Sequence, residues 1–343
     1  MPAEWLPPQG GCPFLWSDRP CRPIRSQRTP QPGWPDMAIN VTRHNKVAPR
    51  VPTSNVAVVG NRWLVCPDMT GFGAPSGNVT AGAIAVLDTL TLNETEYWSS
   101  SIGNLNRVIP EGVGSKAWGV WQASISVSAR RLWWLQPSTG TSDDIGVPSN
   151  GHYTQPLLVG GQIWLISRNV GASAIERFDL STETYLSTYS GLPSIQSATW
   201  DGGSYVYVHH ENTKITRITV SSGTHTSISG TYTNATLGGS NPLWHDGRMW
   251  SFRDGYWRVF DPAGPTLSVV GPNVGAYTMQ PALGADGDIH AVSTSGGINY
   301  ICSIRPSDMA YRSDTLSTTA ATVETVVSAN GMLWTPAPEP LTR

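Results

Sequence analysis

The sequence predicts an all-β fold, a ring of small antiparallel sheets, from three observations: its composition, a recurring hairpin and complementary chain ends. The 343 residues include 35 Gly, 27 Pro and 15 Trp, and only 13% are charged. That is about half the charged share usual in soluble domains, roughly 25%. Lysine, a good helix former, occurs only at positions 46, 116 and 214. With 39% hydrophobic residues the chain can bury a large core, so it is not a disordered polypeptide. No apolar run reaches the ~18 to 20 residues needed for a transmembrane helix. These figures disfavour a helical bundle, a coiled coil, a membrane protein and a doubly wound nucleotide enzyme. Net charge is −2, which argues against a dedicated nucleic-acid binder with a broad basic face.

The hairpin recurs seven times: NVAVVGNRWLV (55–65), SISVSARRLWWL (124–135), PLLVGGQIWLI (156–166), SATWDGGSYVYV (197–208), NPLWHDGRMWSF (241–252), PALGADGDIHAV (281–292) and TVVSANGMLWTP (325–336). Its turns centre on Gly60, Ala129, Gly161, Gly203, Gly247, Gly287 and Gly331, on average about 45 residues apart. Gly-Gly, Asp-Gly and Asn-Gly pairs supply the positive φ of two-residue hairpins. A third strand follows most hairpins, as in AIAVLD (83–88), IERFDL (175–180), ITRITV (215–220), YWRVFD (256–261) and YICSIR (300–305). A Ser/Thr-rich fourth strand comes next, as in TETYLSTY (182–189) and GTHTSISG (223–230). Four short strands per ~40 to 45 residues make a β-propeller blade.

The ends are complementary. The last hairpin has no third strand after it, and MAINVT (37–42) reads as an orphan strand before the first. Pairing strand 37–42 with hairpin 325–336 would close residues 37–343 into a seven-bladed propeller and remove an open sheet edge. The second repeat is irregular, so six blades plus an insertion is the alternative. Cys66 and Cys302 fall on separate strands and read as free thiols, as do Cys12 and Cys21, although that last pair is close enough in sequence to bond.

The repeat resembles seven-bladed propellers of the kelch or quinoprotein-like group, over about 300 residues from position 37. Gly160-Gly161 and Gly202-Gly203 come nearest to the kelch pattern. The WD signature and the sialidase Asp-box are absent.

Residues 1–36 form a separate unit, an extended N-terminal arm. They hold nine of the 27 Pro, together with Trp5, Trp16 and Trp34. Proline at this density blocks both helix and sheet. Arg19, Arg22, Arg25 and Arg28 recur every third residue, the period of a polyproline helix, so all four would project from one edge. Residues 1–50 carry net charge +4, against −6 for the remainder. Tryptophan and arginine dominate interface hot spots, so these seven residues are the expected partner-binding set.

The other candidates read as structural. His209-His210-Glu211 is the most metal-like cluster, but neighbours on a strand point to opposite faces, which favours a strand end. Asp286-Gly287-Asp288 reads as a turn and Asp143-Asp144 as a solvated loop. GVGSK (112–116) lacks the rest of a phosphate loop, and no GxSxG or HExxH occurs. No catalytic residue, metal or cofactor is expected, and the chain is not expected to be an enzyme. The start MPAEWLPPQGG lacks the charged and apolar regions of a signal peptide.

Low charge, Ser/Thr-rich strands, many Trp and the Pro-rich arm resemble bacteriophage virion proteins in style. That resemblance implies a structural component of a large assembly, a tail or virion protein made in the host cytoplasm. It would bind other subunits through the arm and contact a host surface, including its glycans, through the propeller. The alternatives are a lectin-like carbohydrate-binding propeller and a propeller enzyme such as a glycan lyase or hydrolase.

Overall fold

The computed structural model describes residues 56–68, 82–99, 104–111, 115–122, 130–146, 152–168, 173–210, 214–228, 241–253, 255–271, 281–317 and 325–335. Among them every regular element is a strand. Blade I contains β1 (Ala57–Val59), β2 (Trp63–Asp68), β3 (Gly82–Asp88) and β4 (Glu94–Ser99). Blade II contains β5 (Asn104–Pro110), β6 (Ala117–Gln122), β7 (Arg130–Gln136) and β8 (Thr141–Gly146). Blade III contains β9 (His152–Val159), β10 (Gln162–Arg168), β11 (Ser173–Asp179) and β12 (Thr184–Leu192). Blade IV contains β13 (Ile195–Trp200), β14 (Tyr205–His210), β15 (Ile215–Thr219) and β16 (His225–Ile228). Blade V contains β17 (Leu243–His245), β18 (Arg248–Arg253), β19 (Tyr256–Asp261) and β20 (Thr266–Val270). Blade VI contains β21 (Ala282–Leu283), β22 (Ile289–Ser295), β23 (Ile298–Ile304) and β24 (Tyr311–Ser317). Each blade is an antiparallel meander in chain order. A two-stranded sheet, β25 (Val327–Ala329) and β26 (Met332–Trp334), ends the series.

Among the described residues the complete four-stranded blades thus number six, the count of the six-bladed alternative. The seventh hairpin has only three residues per strand. The expected closing strand 37–42 lies outside the described residues.

Both faces of a blade are buried, so the second strand of a blade is apolar without alternation. Ile163, Trp164, Leu165 and Ile166 are all fully buried. Ile163 and Leu165 pack on Trp118, Val120 and Leu132 of blade II, whereas Trp164 and Ile166 pack on Val206 and Val208 of blade IV. Similar clusters join I to II, IV to V and V to VI. The β25–β26 sheet fills the remaining gap. Val326 and Leu333 pack on Val292 and Ile301 of blade VI, and Val327 and Ala329 pack on Val56 and Leu64 of blade I. The Asn330 amide donates to the Asn61 carbonyl (3.1 Å) and to its Oδ1 (2.9 Å), tying this turn to the first one.

The irregular second repeat has a physical explanation. The first hairpin of blade II is not 124–135. Its turn lies between residues 110 and 117, where the Glu111 amide donates to the Lys116 carbonyl, and Arg130–Gln136 is the third strand. A long turn through PEGVGSK replaces the tight Gly-centred turn of the other copies. Asp143 and Asp144, expected in a loop, lie on outer strand β8, where they pair with Trp134 and Trp133; Asp143 is exposed.

Candidate functional site

In a four-stranded meander the first and third turns lie at one end, and the second turns and blade connections lie at the other. The described residues cover mainly the first end. There the third strands finish in a recurrent turn that the hairpin count overlooks: DTLTLN (88–93), QPSTGT (136–141), DLSTET (179–184), TVSSGT (219–224), DPAGPT (261–266) and RPSDMA (305–310). In five of them the fifth residue has positive φ: Leu92, Gly140, Glu183, Gly223 and Met309. The carboxylates of this turn cap it. Asp179 Oδ1 accepts from the amides of Ser181 and Thr182, both at 2.9 Å, and Asp261 Oδ1 accepts from Ala263 at 2.9 Å.

Asp88 is the most strongly held of these. Arg62 donates to it twice, from Nε at 2.8 Å and from Nη2 at 2.6 Å, and the Leu90 amide (3.0 Å) and Thr91 hydroxyl (2.9 Å) add to the set. The Arg62 hydrogen bond outweighs burial, which acts the other way, and holds the Asp88 carboxyl well below the usual carboxylate range. Such a group stabilises the fold fully above its unfolded pKa, about 3.9, and that stability is lost as pH falls further. Asp88→Asn is therefore expected to lower the melting temperature near neutral pH and to shrink its difference from the parent at pH 2 to 3. A difference independent of pH across this window would contradict the assignment.

Blade VI holds a Ser-His-Asp relay. His290 Nε2 lies 3.1 Å from Asp286 Oδ1, and His290 Nδ1 lies 2.8 Å from Ser303 Oγ. An ionised carboxylate only accepts, so Nε2 carries the proton and Nδ1 accepts from the serine hydroxyl. Burial pushes Asp286 up, but the hydrogen bonds from His290 and the Asp288 amide outweigh it and leave the carboxyl lowered. The proton polarity is that of a nucleophilic triad. Ser303, however, is fully buried and His290 nearly so, which leaves no access for a substrate carbonyl. The relay latches the first turn of the blade to β22 and β23. Gly284 makes room for it, since a Cβ there would stand 2.4 Å from Asp286 Oδ1 and 2.5 Å from His290 Nε2.

His209 and His210 close β14 and point to opposite faces, as the strand period requires; Glu211 lies outside the described residues. His210 contacts the Pro193 carbonyl (3.2 Å) and Thr216 Oγ1 (2.8 Å), and burial lowers its pKa. Burial, then the charges of His210, Arg253 and Arg258, push His209 down to about 3, so it is neutral near pH 7. Among the described residues no group of three or more His, Cys, Asp or Glu is placed to hold a metal ion. Asp286-Gly287-Asp288 forms the turn between β21 and β22, with the Asp288 amide donating to Asp286 Oδ1 at 3.2 Å. Cys302 is a free thiol, and burial pushes it up to about 12, far from thiolate chemistry; Cys66 lies on β2. The expected partner-binding residues Trp5, Trp16, Trp34, Arg19, Arg22, Arg25 and Arg28, with Cys12 and Cys21, lie outside the described residues.

Six four-stranded sheets and the two-stranded β25–β26, packed face to face around a ring, decide the architecture. The fold is a β-propeller. A solved streptogramin B lyase structure is similar, with a TM-score of 0.59 and 17% sequence identity, covering 85% of this chain and 93% of that one. No protein-family model matches the sequence, and no curated protein matches it. At this identity the likeness is one of fold. No helix among the described residues is long and apolar enough to cross a membrane.

Sequence reasoning missed the relay and the capped turns. A signal for the turns existed: Asp88, Asp179 and Asp261 each end an apolar third strand and precede a small residue two positions on, except that Leu90 takes this place after Asp88. The relay carries no contiguous signal, because Ser303 reaches His290 only through strand register.

Proposed function

We propose that the protein is a structural component of a larger assembly, with the propeller serving attachment and residues 1–36 strapping it to a neighbouring subunit. The observation that supports this most is the outer rim. The nine residues of β12 (TYLSTYSGL) and the five of β20 (TLSVV) contain no charge. Each is the edge strand of its sheet. Tyr185 and Leu186 are 42% exposed and Val269 is 52% exposed. Edge strands in freely soluble proteins are guarded by lysine, proline or bulges; β12 has register shifts in its pairing with β11, whereas β20 pairs with β19 in unbroken register and has none of the three guards. An uncharged edge with exposed apolar side chains suits an extended segment of a neighbouring subunit, paired by β-augmentation.

In this reading the setting is a bacteriophage tail or virion facing a host surface, including its glycans. Its support is compositional: 13% charge, Ser/Thr-rich outer strands and the Pro-, Trp- and Arg-rich arm. A lyase-type propeller is the second reading. It draws on the streptogramin B lyase likeness, and the fully buried Ser303 of the blade VI relay weighs against using that group as a nucleophile.

Native protein should sediment as part of a multi-subunit complex. Leu186→Lys combined with Val269→Lys, or deletion of residues 2–36, should release it as a folded monomer with an unchanged melting temperature. A native monomer of about 37 kDa, indifferent to all three changes, would overturn the proposal.

A further inference from the structure

Toward the rim, blades V and VI leave between them a recess of about 190 Å³, measured out to its open mouth. Phe252, Trp257 and Val270 of blade V line it, with Cys302, Tyr311 and Arg312 of blade VI. Phe252 and Trp257 meet edge to face, their ring centroids 5.2 Å apart. The walls are thus mainly aromatic and apolar. Sites for free small-molecule ligands run to about 300–1,000 Å³, so this recess suits one side chain of a larger partner.

One polar group in these walls selects the occupant. Trp257 is 2% exposed, and among the described residues its Nε1 has no hydrogen-bond partner. The indoles of Trp164, Trp200, Trp250 and Trp334 each donate to an oxygen. A buried donor left alone is rare in a native interior. An indole nitrogen can only donate, so the matching occupant brings a carbonyl oxygen together with an apolar group. Proline in an extended segment supplies both. Its ring packs on aromatic walls, and a polyproline helix leaves every backbone carbonyl without an internal partner.

The chain itself carries such a segment. PQPGWP (30–35) has prolines at 30, 32 and 35. Pro32 and Pro35 are one polyproline turn apart and lie along one edge. The segment is uncharged, as an apolar recess requires. Pro20 and Pro23 stand beside Arg19 and Arg22, for which the lining residues offer no carboxylate. The recess also adjoins β20, whose last residue is Val270 and whose uncharged edge is the proposed attachment strand.

We propose that the recess between blades V and VI receives residues 30–35 of a second copy of this chain. A proline ring packs against Phe252, Trp257 and Tyr311, and a prolyl carbonyl accepts from Trp257 Nε1. The contact rests on the assembly proposed above and names one of its joints. Each copy offers one arm and one recess, a head-to-tail contact that repeats from copy to copy.

Sedimentation of full-length chains tests this. The parent should form multimers without any other protein. Trp257→Phe keeps an aromatic ring but loses the N–H. This variant, and a triple variant Pro30→Ala, Pro32→Ala and Pro35→Ala, should each self-associate at least tenfold more weakly than the parent. Mixed one to one, the two should form heterodimers, because one retains the arm and the other the recess. Excess peptide PQPGWPD should dissociate the parent, a readout that needs no variant. Parent multimers indifferent to both variants and to the peptide would overturn this contact and leave the assembly reading standing. A mixture that stays monomeric, with both variants folded, would also overturn it. A parent that is monomeric even in its native setting would overturn both.

Discussion

Trp250→Ala is expected to lower the unfolding free energy by about 3–5 kcal/mol, the range for truncating a buried large aromatic side chain. Trp250 is fully buried in β18, between Leu243 on β17 and Val259 on β19. Its ring packs with Phe252, Trp257, Ile289, Ala291 and Ile304 in the cluster joining blades V and VI. Its indole N–H donates to the His245 carbonyl at 2.9 Å, which holds the turn that starts the blade. The alanine variant opens a cavity at a joint where two sheets must keep their spacing and leaves that carbonyl without its donor. Neighbouring side chains cannot collapse into the space without disturbing blade VI. Typical domain stability is about 5–15 kcal/mol, so this change approaches the whole margin of a weak domain. Trp250→Phe keeps most of the packing but loses the hydrogen bond and should cost about 1–2 kcal/mol. Urea unfolding followed by circular dichroism measures both. The expected result is a lower midpoint at unchanged slope. A cost below about 1 kcal/mol for the alanine variant would mean that the V–VI contact is not a stability core.

The propeller was legible because its signals are local. Tight turns at Gly160-Gly161, Asp246-Gly247 and Asn330-Gly331 all have positive φ, as their sequences demand. Apolar strands flank them at the spacing of a blade. The misplaced hairpin of blade II shows the limit of this method. SISVSARRLWWL has hairpin periodicity, but its second half pairs with β6 rather than with its first half. The true turn, PEGVGSK, has no tight Gly pair to announce it. Sequence alone left the choice between seven blades and six open for a related reason: a hairpin specifies two strands, whereas a blade needs four, and among the described residues the last hairpin has only its two. The candidate site was harder still. His209 stood out in sequence for its histidine neighbour, yet the two rings point apart. What surrounds His209 is a serine twelve residues earlier and groups from the next blade. No spacing rule links those positions, because the contact between blades is set by packing.

Gly223→Ala is expected to cost about 3 kcal/mol, from two terms that can be separated. Gly223 closes the capped turn of blade IV, with its amide donating to the Thr219 carbonyl at 2.8 Å and φ at +72°. A left-handed conformation costs an L-residue about 1–2 kcal/mol. Leu92, Glu183 and Met309 occupy the same turn position in other blades with φ of 59°, 55° and 60°, so this strain alone is tolerated. The second term is particular to Gly223. A Cβ there would stand 2.3 Å from Cε1 of Tyr189 and 2.6 Å from its Cζ. Tyr189 belongs to β12 of blade III and cannot swing away freely. Its ring meets Trp164 edge-on at 5.5 Å, and its hydroxyl accepts from Arg177, which Gln162 Oε1 holds in turn at 3.1 Å. Overpacking of this kind costs about 1–3 kcal/mol. Removing the ring should remove that term. In a Tyr189→Ala background, Gly223→Ala should therefore cost only about 1–2 kcal/mol, and a double-mutant cycle should return a coupling of about 1–2 kcal/mol. Equal costs in both backgrounds would place the whole effect in the turn and would show that blades III and IV do not meet through this pair.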